Sequence, residues 1–303
     1  MPEKQVSPQI KINEREWVEK PLLDQLEKLG WKIVDLDRQQ TPAESFRESF
    51  DETVLLPELR DALRKINDWI DEDQIDEAIS KITRFQTNDL LTNNEQVLQR
   101  LREGTSVSQN RRTGDKSPTV NYVDFKHPER NSFLAVCQLK LRVIGTDRNI
   151  YPDIVLFLNG LPVGVIECKS PKVNESIAEA IDQLLRYSEQ RGEKGEESNR
   201  ELFYYNQLLV ATSRDKAKIG TITAPNEKFY FNWKDAFPMD VSDLEQEYGS
   251  ASNQHRLVAG VFAHENLLSL IRTFTFFTTN DRGETIKILA RYQQFRAVKQ
   301  AVN

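Results

Sequence analysis

The sequence predicts a mixed α/β layer fold, on three observations. Helical periodicity alternates with short β-branched runs, in the order helix, strands, helix, strand. Residues 149–171, NIYPDIVLFLNGLPVGVIECKSP, form an apolar hairpin around an Asn-Gly turn. The chain has 303 residues, 38% hydrophobic and 29% charged, as an ordinary globular protein does. That is enough for one large domain or two modest ones.

NEREWVEKPLLDQLEKLGWKIVDL predicts a first helix capped near Asn13. Trp17, Leu22, Leu23, Leu26 and Leu29 recur there at helical spacing, Gly30 closes the helix, and a strand follows. Residues 54–103 read as helical from LPELRDALRKINDWI, QIDEAISKITRF and NNEQVLQRLREG, the last closed by Gly104. The β-rich runs TVNYVDF and NSFLAVCQLKLRVI lead into the hairpin. NESIAEAIDQLLRYSEQ predicts a helix with Asn174 as its cap, and QRGEKGEESNRE a charged loop. NQLLVATS predicts a short apolar strand and HENLLSLIRTFTFF a helix. No internal repeat is present.

Net charge is −6, which argues against coating nucleic acid by bulk electrostatics but leaves room for a local grip. The candidate basic patch is QRLREGTSVSQNRRTGDK, with Arg100, Arg102, Arg111, Arg112 and Lys116. Its plainer reading, a solvated helix end and loop, is preferred. MPEKQVSPQI has no apolar h-region and the apolar runs are too short for a membrane span. Cys137 and Cys168 make no disulfide framework or metal spacing, so a reduced, cytoplasmic protein with no membrane partner is expected. His127, His255 and His264 lie far apart and read as structural or surface residues, and no G-x-S-x-G elbow occurs.

The hairpin carries the chemistry. Residues two apart on a strand share a face, so Glu167 and Lys169 point one way and Ile166 and Cys168 the other. A regular two-residue Asn159-Gly160 turn would pair Asp153 with Ile166, placing Asp153 and Glu167 on opposite faces. One extra residue restores the parity, and Pro162 or Gly164 would tolerate the bulge. Two carboxylates and a lysine would then meet, as a site for Mg²⁺ with substrate phosphate oxygens requires. The competing reading is a surface strand end with an alternating Glu/Lys ion pair.

YPD, the apolar hairpin and VIECKSP resemble the PD-(D/E)xK nuclease motif, with Pro152-Asp153 and Glu167-x-Lys169 in its places. Gln183 and Tyr187, at i and i+4, match the Q-x-x-x-Y signature of one branch of that superfamily. PDIVLFLNGLPVGVIECK, LLVATSRDKAKIGTITAPNEKFYFNW and QLLRYSEQRG are similar to the N-terminal part of the restriction (R) subunit of type I restriction–modification enzymes. The resemblance runs over most of residues 10–303 and is densest from 115 to 235.

The resemblance implies a restriction-endonuclease-like fold, a mixed central sheet flanked by helices with a helical insertion at about 54–103. It implies a type I site-specific deoxyribonuclease that hydrolyses foreign double-stranded DNA with Mg²⁺, for which Mn²⁺ can substitute. Asp153, Glu167 and Lys169 would be catalytic, and Asp153, Glu167 and the Cys168 carbonyl would hold the metal. Gln183 and Tyr187 would brace the site. A first-helix glutamate also lines the site in related nucleases; Glu19 is the best-placed match, with Glu14 and Glu16 competing. The partners implied are an ATP-driven translocating motor and methylation and specificity subunits.

No G-x-x-x-x-G-K-[ST] loop occurs, so ATP belongs only to the full-length subunit. KILARYQQFRAVKQAVN resembles the segment before the motor, where Gln294 fits the adenine-reading glutamine. The expected division is an endonuclease domain over 1–260 and a linker or start of the motor domain over 261–303. Two alternatives stand beside this reading: a repair or recombination nuclease of the same superfamily, and a non-cutting module that docks DNA or a motor.

Overall fold

The structure is a computed structural model that describes residues 14–192 and 196–302. Its centre is a six-stranded sheet whose spatial order follows the chain. The strands are β1 (Lys32–Asp35), β2 (Phe133–Cys137), β3 (Ile154–Leu158), β4 (Leu161–Cys168), β5 (Leu208–Ser213) and β6 (Lys216–Gly220). β1 is parallel to β2 and β4 to β5; the other neighbours are antiparallel. Every residue of β2, β3, β4 and β5 is buried, so these strands read as continuous apolar runs. This is the mixed sheet flanked by helices that the sequence predicts.

Helix α1 (Lys20–Lys28) covers one face, where Leu22 and Leu26 join Ile154, Leu156, Ile166 and Val210. The insertion adds α2 (Leu56–Ile66), α3 (Glu72–Thr83) and α4 (Leu90–Glu103), whose Leu59, Leu63, Ile75, Ile82 and Leu98 belong to that same core. Helix α5 (Ser176–Tyr187) covers the other face, with Ile177, Ile181 and Leu184 against Val155, Phe157, Val165 and Leu209. Beyond the sheet come α6 (Val241–Tyr248), α7 (Asn253–Phe262), α8 (His264–Ser269), a hairpin of β7 (Thr275–Thr279) and β8 (Thr285–Leu289), and α9 (Tyr292–Val302). Leu257, Val258, Phe262, Leu267, Phe274 and Phe295 share one core with the sheet, on both sides of the expected 260/261 boundary.

Several local expectations shift. Asn13 lies outside the described residues. Trp17 is 52% exposed rather than part of the apolar stripe, because Arg15–Glu19 is a π-helical turn. The wider turn changes the phase of the helix, so that Val18 and Glu19 face inward instead. Helix α5 begins at Ser176 after Glu175, whose backbone is left-handed and whose side chain makes no cap bond, so Asn174 is not the cap. In TVNYVDF only Thr119–Val120 pairs as strand. The Asn67 side chain takes up both backbone groups of Asn121 there (2.9 Å each), in place of a ladder.

HENLLSLIRTFTFF is not one helix. It is helical to Ser269, passes through a π-turn over Leu270–Phe274, and ends as β7, paired antiparallel with β8 from Thr275 opposite Leu289 to Thr279 opposite Thr285. The charged loop contains residues 193–195, which lie outside the described residues, and ends in a helical turn at Arg200–Phe203. In the basic segment, Arg102 turns inward to the Ile271 carbonyl (2.8 Å), while Arg111, Arg112 and Lys116 are exposed. His264 stacks on Phe133 and His255 on Tyr248, and His127 lies 3.2 Å from Asp124. Cys137 and Cys168 are free and buried, and no described helix is long and apolar enough to cross a membrane.

The hairpin turn is clamped onto the insertion. Asn159 and Gly160 both have left-handed backbones (φ 54° and 78°), as a two-residue turn of this hand needs. The Gly160 carbonyl accepts from Leu55 N–H at 2.9 Å, at the start of α2. A Cβ on Gly160 would lie 2.5 Å from the Leu55 carbonyl oxygen and 2.7 Å from Leu59 N. Gly160→Ala should therefore cost about 2 kcal/mol or more, through left-handed strain and backbone overlap. Urea unfolding measures it; a midpoint equal to wild type would contradict the clamp.

Candidate active site

The β3–β4 register supplies the irregularity that parity demands. Leu158 faces Leu161 across the turn and Phe157 faces Pro162, but Leu156 faces Gly164, leaving Val163 as an extra residue. Side-chain packing records the flip: Leu161 and Val163 face the α1 side before it, Ile166 and Cys168 after it. Ile154 then pairs with Ile166, which sets Asp153 against Glu167 on one face. The bulge is held from β5, because Gln207 N–H donates to the Val163 carbonyl (2.6 Å) and the Asn206 amide to that of Pro162. The carbonyls freed by the bulge are thus satisfied.

Asp153 is fixed from two sides. The Cys168 N–H donates to one carboxylate oxygen at 2.8 Å, and the Gln138 amide to the other at 2.9 Å. Lys169 donates from Nζ to Glu167 at 2.7 Å and to the Cys168 carbonyl at 2.9 Å. The other Glu167 oxygen, Oε2, is buried and has no hydrogen-bond partner. From the first helical segment Glu19 and Glu14 enter the same space. One carboxylate oxygen each from Glu14, Glu19 and Asp153 lie within 4.8 Å of one another. Glu14 is anchored by Ser170 N–H at 2.6 Å, and Glu19 meets the Cys137 thiol at 3.4 Å.

Crowded carboxyl groups resist ionisation here. Burial pushes Glu167 well above the usual carboxylate range, Asp153 adds to this, and Lys169 opposes it. Burial and then Asp153 push Glu19 up to about 8, against the Cys137 hydrogen bond and Arg15. Burial disfavours the Lys169 charge, but the acids around it, Glu167 first, outweigh that and hold the ammonium form. Four carboxyl groups, Glu14, Glu19, Asp153 and Glu167, thus face one lysine. A hard, oxygen-rich donor set with a buried, unpartnered oxygen suits a divalent cation.

Of the residues singled out in the sequence, Asp153, Glu167, Cys168 and Lys169 come together at the end of the hairpin. Glu19 joins them together with Glu14, whereas Glu16 pairs outward with Lys20. Tyr187 is buried on the face that Asp153 and Glu167 share and accepts a hydrogen bond from Gln183. Burial, then the charges of Glu167 and Asp153, raise the Tyr187 phenol well above its ordinary range. Gln294 stands apart on α9, exposed, capping its own helix by accepting from Arg291 N–H at 3.0 Å. Gln138 escaped the sequence reading. It sits in a left-handed conformation just after β2, a loop geometry that no spacing in the sequence announces.

A family model described as Type I restriction enzyme R protein N terminus matches residues 11–228. The chain is 31% identical over 96% of its length to the type I restriction enzyme HindI endonuclease subunit of Haemophilus influenzae, covering 26% of that protein. It is 30% identical over 94% of its length to a Methanocaldococcus jannaschii protein provisionally named type I restriction enzyme MjaVIIIP endonuclease subunit, covering 25% of it. The chain therefore spans about a quarter of the length of these curated relatives.

The raised Glu19 value fixes the sign of a pH effect in the metal-free protein. Between its ordinary value near 4.5 and about 8, the folded chain holds a proton that the unfolded chain has released. Stability therefore falls as pH rises through that window, by at most ~1.4 kcal/mol per pH unit for one group. Glu19→Gln should flatten the fall without loss of stability at the acidic end, measured by urea unfolding in EDTA across the range. An unchanged slope would show that Glu19 does not titrate inside this cluster.

Proposed function

The chain belongs to the family of type I restriction enzyme R protein N termini, and from that membership we propose that it is a metal-dependent DNA endonuclease domain. Its reaction is phosphodiester hydrolysis in foreign double-stranded DNA. The observation that carries this reading is the bulge at Val163, which spends one residue to bring Asp153 and Glu167 to one face beside Lys169. An ion pair on a surface strand end needs no such register. A repair or recombination nuclease of the same superfamily is disfavoured by identity that extends over 96% of the chain.

Asp153, Glu167 and the Cys168 carbonyl would hold Mg²⁺, with Mn²⁺ able to substitute, and Glu19 and Glu14 stand within reach of the same space. When bound, the ion supplies Lewis-acid stabilisation of the charge that develops on the phosphodiester. The chain's own groups do the rest. Cys168 N–H and the Gln138 amide hold the Asp153 carboxylate in one orientation. Glu167 fixes the Lys169 ammonium, whose remaining N–H capacity can orient the attacking water or stabilise charge on a phosphate oxygen. Gln183 and Tyr187 brace the buried side of the carboxylates. In the full-length subunit, cleavage would be coupled to an ATP-driven motor and to methylation and specificity subunits, in the cytoplasm. Those partners would bring DNA to a domain whose own net charge of −6 attracts it little.

In the full-length subunit assembled with its partners, Lys169→Ala should abolish cleavage of a supercoiled plasmid while ATP hydrolysis persists. Normal cleavage would remove Lys169 from the mechanism. The 303-residue chain alone should bind Mn²⁺ weakly by calorimetry, since few carboxylates leave much of the shell to water and phosphate. Asp153→Ala should abolish that heat. Plasmid nicking by the chain alone should be slow and confined to low salt; tight, salt-insensitive DNA binding would place the grip in this domain rather than in its partners.

A further inference from the structure

Trp17 is 52% exposed, whereas Trp31 and Trp233 are buried and Trp69 is half-buried. The Arg214 guanidinium lies over its ring, 5.0 Å from the centroid. The two residues come from separate elements that flank the carboxylates. Trp17 stands in the π-helical turn between Glu14 and Glu19. Arg214 occupies the β5–β6 turn, where Ser213 pairs with Lys216, two residues beyond Thr212, whose carbonyl accepts from Lys169 N–H at 2.9 Å.

Arg214 has a left-handed backbone (φ 49°), a conformation comfortable for Gly or Asn and strained for arginine. An arginine kept there brings a side chain that a relaxed turn would lack. Among the described residues it makes no ion pair; its partner is the Trp17 ring. The cations nearest to Trp17 in the chain are already engaged, Arg15 by Asp35 (2.6 Å) and Lys20 by Glu16. Ser213 and Asp215, on either side of Arg214 in the chain, line a surface depression of 430 Å³ together with the exposed Lys172 and Lys216 and the acid Glu175. Arg214 therefore sets an exposed guanidinium on the Trp17 ring, next to the segment that leaves Lys169.

We propose that Trp17 and Arg214 position DNA over the site, Arg214 on a backbone phosphate beside the scissile one and the Trp17 ring against the adjoining sugar and base. The inference rests on the reading of this chain as a DNA endonuclease domain. Acidic groups line the site, and a cation at its mouth favours the approach of a phosphodiester. An exposed aromatic ring paired with arginine is a surface on which nucleotides stack without sequence preference.

The test measures binding of a fluorescein-labelled duplex to the 303-residue chain by anisotropy, across a salt series, with Ca²⁺ as the only divalent ion. Trp17→Ala should weaken binding about tenfold and leave the salt dependence unchanged, as loss of stacking does. Arg214→Gly should weaken binding and lower the slope of log K against log salt by about one, the signature of one phosphate contact. Because glycine relaxes the turn, this variant should melt no lower than wild type. Wild-type affinity and slope in Arg214→Gly, or a loss seen only in a variant whose Tm has fallen, overturns the proposal. Plasmid cleavage by the full-length assembly separates the two readings. Normal cleavage with both substitutions sinks this role for Trp17 and Arg214 and spares the endonuclease reading, whereas binding that depends on them in an assembly that cuts nothing does the reverse.

Discussion

The extra residue in β4 decides which side of the sheet Glu167 faces, and the site is built on that choice. Without Val163 as a bulge, Asp153 would oppose Ile166, and one carboxylate would enter the α1 core while its partner faced α5. With it, two acids share a face and must be reconciled with each other. The reconciliation is local: Asp153 is held by a backbone N–H and an amide, and Glu167 by Lys169. What is left over is an excess of carboxyl groups and one buried oxygen with no partner, an arrangement that disfavours the ionised form of Glu167 and that a bound divalent ion would relieve.

The bulge is supported from a distance. Asn206 and Gln207 secure its carbonyls from the start of β5, and both are themselves held by Lys287 from β8. The buried Lys287 Nζ lies within hydrogen-bonding distance of the Asn206 carbonyl (2.9 Å), the Gln207 side-chain oxygen (2.7 Å) and the Asn94 side-chain oxygen of α4 (2.6 Å). These acceptors hold it in place, while burial, and then the charge of Arg102, push its pKa well below the usual lysine range. A continuous polar path therefore runs from the C-terminal hairpin, through the insertion and β5, to the residue that sets the register. The Gly160 turn, three residues before the bulge, is tied to α2, so the insertion secures the turn end of the hairpin that carries Asp153 and Glu167.

Much of this was legible because it depends on parity and period. The hairpin, its Asn-Gly turn and the need for one extra residue all follow from side chains alternating on a strand. That the extra residue is Val163 does not follow, since Asn206, Gln207 and Leu208 choose it from more than forty positions away, and Leu208 also packs against Gly164. Trp17 was misplaced for a similar reason: a π-helical turn has no signature in the apolar spacing that it disrupts. Gln138 and Glu14 reach Asp153 through a left-handed loop residue and a contact between segments 156 residues apart, neither of which leaves a local pattern. The TFF end of the C-terminal helical segment departs from the helical reading because pairing with β8 settles it, and Asn174 fails as a cap because the left-handed Glu175 stands between it and the helix.

Anomalous diffraction from a crystal of this chain soaked in Mn²⁺ tests the central claim most directly. The account predicts a peak beside Asp153 with oxygen ligands from Asp153, Glu167 and the Cys168 carbonyl at about 2.0–2.3 Å, the range for a small hard cation with carboxylate and carbonyl ligands. Lys169 would swing off the Cys168 carbonyl while keeping Glu167. No peak at saturating Mn²⁺, or one held only by surface acids away from Asp153 and Glu167, would contradict it.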